Sequence, residues 1–235
     1  MNPDPKDLLV KLIKCKSVTP NDNGALAVIE DVLNANNFEC ERLPFGSGAE
    51  KVLNLFARLG DKSPHICFAG HSDVVPEGDS KLWEFSPFDG KISNGKIFGR
   101  GAVDMKGSIA SYLSAAIDWI EKNKSFEGSI SFLITGDEEG PAINGTRKVL
   151  DWMEASGQIP DMCIVGEPTN ATKVGDTIKI GRRGSLNGSL AVYGEQGHVA
   201  YPHLALNPFP ILMKMLEPLL GGKLDDGTEN FPPTN

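Results

Sequence analysis

Three short apolar runs constrain this chain most: HICFAG at 65–70, SISFLITG at 129–136 and MCIVG at 162–166. Each is rich in strand-forming residues and ends in glycine. Each is followed at once by histidine or acid. His71 and Asp73 follow the first, Asp137, Glu138 and Glu139 the second, and Glu167 the third. NLFARLG at 54–60 reads as a further strand of the same kind.

The segments between these runs have helical spacing. Leu8, Leu9, Leu12 and Ile13 share one helical face, as do Leu26, Ile29, Val32 and Leu33. Ile109, Tyr112, Leu113, Ala116, Ile117 and Ile120 predict a helix from about Met105 to Asn123. NGTRKVLDWMEA predicts another, and GKISNGKIFGRG a hairpin turning at Asn94-Gly95. Strands alternating with helices predict an α/β fold, a mixed central sheet flanked by helices.

The pattern changes beyond about Val174. DTIKIGRRGSLNGSLAVYGE reads as two alternating strands, and NPFPILMKMLEPLL as a helix. These predict the start of a separate α+β module, dividing the chain into 1–178 and 179–235.

Composition excludes some functions. The formal charge of −8 disfavours nucleic acid as a partner, since phosphate binding needs a basic face. No apolar run approaches the ~18 residues of a membrane span. The N-terminus lacks the layout of a signal peptide. Cys15, Cys40, Cys67 and Cys163 are scattered, with no CxxC pair. Cys67 and Cys163 sit in apolar runs and read as small core residues. A cytoplasmic setting is the simplest expectation.

Functional groups of α/β sheets gather beyond the C-terminal ends of the strands. Taken singly, each candidate has an ordinary reading. His71 fits a hydrogen-bonded histidine, Asp73 a turn cap, Asp104 a helix N-cap, and Glu167 a loop acid. The acidic triplet fits a solvated turn. Together they place metal-ligand types at several ends of one sheet edge. One imidazole with several carboxylates suits Zn²⁺, Mn²⁺ or Co²⁺. Asp73, two residues from His71, is positioned to orient the imidazole. Asp104 has two oxygens with which to bridge a pair of ions. Of Glu138 and Glu139, one can bind metal while the other serves as base.

Two rival chemistries fail. In HSD the serine and its neighbours point to opposite strand faces and cannot relay a proton. In FGRGAVD, Asp104 takes the place of the third glycine of a dinucleotide fingerprint, where a carboxylate repels pyrophosphate.

GHSDVVP, GRGAVDMKG, TGDEEG, VGEPT and GRRGSL with GEQGHVAYPHLALNP resemble the metallopeptidase family of two-zinc amidohydrolases that includes aminoacylases and glutamate carboxypeptidases. The resemblance runs in order along essentially the whole chain. It implies a zinc-exopeptidase-like catalytic domain with an inserted α+β dimerisation and lid domain. It also implies two divalent ions, Zn²⁺ or Co²⁺, and a homodimer acting on a small molecule. Asp104 would bridge the ions, His71 and Glu167 would hold the first, and Glu139 the second. Glu138 would be the general acid/base and Asp73 the supporting catalytic acid. His198 would stabilise the oxyanion in a partner subunit's site. Arg182, Ser185 and Tyr201 would lie near substrate carboxylates. GRRGSL and GHVAYPHLALNP favour the branch that hydrolyses N-succinyl-LL-2,6-diaminopimelate over sister N-acyl-amino-acid amidohydrolases and peptidases.

Members of that family are longer, and they supply a last histidine to the second ion after the inserted module. Here His65, His198 and His203 do not match that ligand. The expectation is a fragment, an interrupted frame or half of a split enzyme.

Overall fold

A computed structural model describes residues 3–182, 184 and 187–234. The chain divides into two compact units, Met1–Asn170 and Ala171–Asn235.

The first unit is built on a five-stranded sheet. β1 (Glu39–Phe45), β2 (Val52–Leu59), β3 (His65–His71), β6 (Ser129–Thr135) and β7 (Met162–Val165) run in the order β1-β2-β6-β3-β7. β3 pairs parallel with β6 and β7, while β2 pairs antiparallel with β1 and β6. The sheet is therefore mixed, as expected. β4 (Lys91–Ser93) and β5 (Lys96–Phe98) form the separate hairpin, with Asn94 and Gly95 at positive φ in its turn. β1 is absent from the sequence reading. Its ECERLPF alternates poorly and leaves only Leu43 buried.

Four helices cover the sheet. α1 (Pro5–Lys14), α2 (Ala25–Asn34) and α3 (Gly107–Lys122) pack on one face. Leu12, Leu26, Ile29, Ile109 and Leu113 meet Phe68 and Phe132 there. α4 (Thr146–Ala155) covers the other face, where Val149 and Met153 meet Phe56, Cys67 and Leu133. Burying both faces explains why β6 is buried at every position.

α3 starts two residues later than the spacing predicts. The backbone at Asp104 and Met105 leaves helical φ/ψ, and Met105 is fully buried. Gly70 and Gly166, at the ends of β3 and β7, make room for it. A Cβ on Gly70 would stand 2.5 Å from Met105 Cε, and one on Gly166 2.6 Å from the same atom.

β7 is exposed along its length, Cys163 included. This corrects the reading of Cys163 as a core residue. Among the described residues β7 is the last strand of the sheet, so only its β3 side is paired.

In the second unit α5 (Pro208–Leu220) forms as expected, with Asn207 accepting from the Phe209 N–H as its N-cap. The two strands expected over 176–195 are not present among the described residues there. One bridge pairs Glu195 with Leu206. Ile178 and Ile180 are 84% and 100% exposed, so their alternation meets no sheet that would bury one face. Among the described residues no helix is long and apolar enough to cross a membrane.

Candidate metal centre

The parallel register aligns the strand ends. His71 faces Thr135 across β3 and β6, and Ala69 faces Val165 across β3 and β7. The next residues of each strand therefore emerge together on one edge. That edge receives His71, the 137–139 triplet and Glu167. Asp104 arrives from the segment before α3.

His71 is the hub, with 1% of its side chain exposed. Its Nδ1 lies 2.9 Å from the backbone carbonyl of Asp73, so that nitrogen carries the proton and donates. In the neutral, metal-binding form of the ring Nε2 then keeps its lone pair. It faces Asp104 Oδ1 at 3.1 Å, Glu167 Oε1 at 3.5 Å and Glu138 Oε2 at 4.0 Å. Among the described residues two groups have ligand atoms within 4.8 Å of one another: His71 with Asp104 and Glu167, and His71 with Glu138 and Glu139. Carboxylates converging on one imidazole nitrogen fit a divalent cation, and the lack of cysteine in these groups fits a hydrolytic ion rather than a structural one.

The surrounding charges are consistent with that fit. Burial works against protonating His71, but the Asp73 carboxylate and carbonyl and Glu167 outweigh it and hold the imidazole up at about 9. Burial and the crowding of Asp104 and Glu138 raise Glu139. A cation relieves both strains.

Asp73 differs in part from its expected role. Its backbone carbonyl, not its carboxylate, takes the close bond from His71, and the carboxylate stands 3.6 Å from Nδ1. The carboxylate instead accepts from Thr19 Oγ1 at 2.5 Å and from the N–H groups of Glu138 and Glu139 at 3.1 and 3.0 Å. Burial opposes its ionisation, yet His71, Thr19 and the Glu139 N–H hold it below the usual carboxylate range. Asp73 thus ties the acidic loop to the histidine.

Two supporting residues, Thr19 and Lys106, are missing from the sequence reading, and a third, Asp137, has a larger role than the turn residue read there. Thr19 carries no sequence signal, because its partner lies 54 positions away. Lys106 is fully buried and donates from Nζ to the carbonyls of Leu12 and Cys15, so it pins the end of α1 beside the Asp104 segment. Burial, against the pull of nearby Cys15 and Asp22, brings its ammonium down to about 8. Asp137, read as a turn residue, is buried and accepts from the N–H groups of Ala142, Ile143 and Asn144. It closes the loop that carries Glu138 and Glu139.

The remaining candidates belong to the second unit. His198 and Tyr201 lie together, ring centroids 5.8 Å apart. The Ala200 N–H donates to His198 Nδ1 at 3.1 Å, which leaves the His198 proton on Nε2. Arg182 is exposed in a segment without regular structure, and Ser185 lies outside the described residues.

The family model described as peptidase family M20/M25/M40 matches residues 67–233. A succinyl-diaminopimelate desuccinylase of Rhodospirillum centenum is 56% identical over 235 residues, covering 100% of this chain and 61% of that protein. One from Beijerinckia indica is 55% identical over 230 residues, covering 97% and 60%. One from Parvibaculum lavamentivorans is 55% identical over 233 residues, covering 99% and 58%. The chain thus spans about 60% of the length of these curated relatives. Among solved structures, human carnosine dipeptidase 1 superposes with a TM-score of 0.59 at 21% identity, over 68% of this chain and 38% of that one. A tripeptidase from Staphylococcus aureus gives 0.58 at 15% identity, over 96% and 59%. At those identities the likeness is one of fold.

Proposed function

The chain belongs to the peptidase family M20/M25/M40, and from that premise we propose that it carries the catalytic centre for metal-dependent hydrolysis of N-succinyl-LL-2,6-diaminopimelate to succinate and LL-2,6-diaminopimelate. The observation that carries this reading is the convergence of Asp104, Glu167 and Glu138 on His71 Nε2 at one sheet edge. The identity of 55–56% to proteins named for that reaction supports the substrate.

His71, Asp104 and Glu167 would hold one ion. Glu139, with Asp104 shared between them, would hold a second. Zinc is the expected ion and cobalt a substitute. When bound, such ions polarise a scissile carbonyl and make water acidic enough to supply a nucleophile near neutral pH. Glu138 is 42% exposed and accessible from solvent, so it suits the proton-moving role: it takes the proton from the attacking water and returns it to the leaving amine. Asp73 keeps His71 in the tautomer whose Nε2 is a ligand. His198, with its proton on Nε2, is set up to donate to a developing oxyanion, in the site of a partner subunit if the protein is a homodimer. Arg182, Ser185 and Tyr201 would meet the substrate carboxylates. On this reading 1–178 is catalytic domain and 179–235 the dimerisation and lid module.

A second reading has a specific observation behind it. Both ligand groups use the same imidazole, His71. A second ion then has only carboxylates of its own, so this polypeptide by itself would bind the first ion tightly, the second weakly, and hydrolyse slowly. The purified chain with added Zn²⁺ or Co²⁺ is to be assayed on succinyl-diaminopimelate, acetylornithine and dipeptides. Release of succinate above the rate for the other substrates supports the first reading. Hydrolysis of acetylornithine or dipeptides alone overturns the substrate assignment. Full activity at one ion per chain overturns the two-ion arrangement.

A further inference from the structure

The parallel register of β3 and β7 sets Cys67 directly opposite Cys163. Paired residues on neighbouring strands project from the same face. Cys67 is buried on the α4 side with 1% exposure, while Cys163 is exposed on the outer strand. The Cys67 thiol donates to the Phe68 carbonyl at 3.6 Å and keeps its sulfur beside the facing Cys163. Ser131 faces Cys67 from β6, and its hydroxyl lies 2.7 Å from His65 Nε2. Ser131, Cys67 and Cys163 therefore stand side by side across three strands, with Cys67 buried and Cys163 exposed. None of these four residues takes part in the proposed hydrolysis.

We propose that Cys67 and Cys163 form a redox-active dithiol that closes reversibly to a disulfide, with Cys163 as the attacking thiol and Cys67 as the resolving thiol. Neighbouring strands stand about 4.7–4.9 Å apart. That spacing lies inside the roughly 4.4–6.8 Å between Cα atoms that a disulfide accepts. The oxidant is a low-molecular-weight disulfide such as oxidised glutathione. The Cys163 thiolate attacks one sulfur of the small disulfide, whose S–S bond breaks and releases one small thiolate. Cys67 then attacks the Cys163 sulfur and passes its proton to the departing sulfur, so that the protein S–S bond forms as the second small thiol leaves. The protein gives up two electrons and two protons, and the small disulfide leaves as two thiols. Only Cys163 needs access to solvent, because the second attack is between strand neighbours.

The remaining thiols offer a contrast. Burial raises Cys15, and burial with the charge of Glu30 pushes Cys40 up to about 11. The neighbouring Cys67 thiol draws Cys163 below the ordinary thiol range, and burial resists only in part. Cys163 is accordingly the thiolate available at neutral pH. The bridge would lie four residues before His71 on β3 and four before Glu167 on β7, joining the two strands that deliver those side chains.

The test uses the chain freed of metal by chelation, incubated with oxidised glutathione at neutral pH, alkylated and mapped by mass spectrometry. The expected product has lost two of its four thiols and two hydrogens, contains a linked Cys67–Cys163 peptide and reverts with dithiothreitol. In the reduced chain Cys163 should alkylate at least about tenfold faster than Cys15 or Cys40. Cys67→Ser should stop at one glutathione on Cys163, and Cys67→Ala serves if serine is not tolerated in the core. Cys163→Ser should leave Cys67 unmodified. A wild-type product that keeps glutathione on Cys163 without a bridge, a bridge through Cys15 or Cys40, or no preference for Cys163 overturns the proposal, whatever the variants do.

Discussion

Thr19 Oγ1 donates to Asp73 Oδ2 at 2.5 Å, and this one bond joins the segment after α1 to the edge that holds the acidic loop. Two further contacts run in parallel: Ser17 Oγ donates to the Ser72 carbonyl at 2.6 Å, and the Val74 N–H to the Ser17 carbonyl at 2.9 Å. The N-terminal segment is therefore part of the wall of the site. Removing a partner from a buried carboxylate costs about 1.5–3 kcal/mol. Thr19→Val is expected to lower stability by that amount in urea unfolding and to weaken zinc binding, while Thr19→Ser retains both. Equal loss in the serine and valine variants would show that the methyl group, not the hydroxyl, matters.

Because His71 belongs to both ligand groups, it is expected to be indispensable for any bound ion. By calorimetry, His71→Ala should bind no zinc. Glu167→Gln should weaken the tighter site alone, and Glu139→Gln the weaker site alone. Each loss should exceed the roughly 10–100-fold typical of an outer-shell partner. One ion retained by His71→Ala at native affinity would refute the shared-imidazole arrangement.

Asp137 receives three backbone N–H groups in a buried position. Asp137→Ala leaves those donors without an acceptor and is expected to cost about 2–4 kcal/mol. Hydrogen exchange at Ala142, Ile143 and Asn144 should accelerate in the variant. Unchanged protection at these amides would mean that the carboxylate does not hold the loop.

His65 makes stability depend on pH. Burial, with the positive charge of Arg58 nearby, holds its folded pKa below the ordinary 6.5. The unfolded chain therefore takes the proton first as pH falls. The contribution of His65 is complete above about pH 6.5 and is lost as pH drops through the folded value. Urea midpoints measured from pH 7.5 down to pH 5 should fall less steeply for His65→Gln than for the native chain. Identical slopes would exclude His65 as the source.

Much of the fold is legible in the sequence, since periodicity reports which face of an element is buried. The spacing of Leu26, Ile29 and Leu33 predicts α2, and the apolar runs ended by glycine predict β3, β6 and β7. β1 escapes that reading because an outer strand buries little. The alternation over 176–195 predicts strands that are not seen among the described residues, because alternation shows what a strand could bury and supplies no partner to bury it against. Cys163 was misjudged for a related reason: an apolar run does not say whether its strand is central or at an edge.

By itself the sequence determined the residue types of the site and their placement after strand ends, because strand, turn and acid are contiguous in the chain. It also determined the family, through motifs that each fit within a few residues. Only the tertiary structure decided how those residues hold one another. The Asp73 carbonyl rather than its carboxylate fixes the His71 tautomer, Thr19 reaches Asp73 over 54 positions, and Lys106 reaches Leu12 over 94. Such contacts depend on how the strands and helices stack, and no local period in the chain records them.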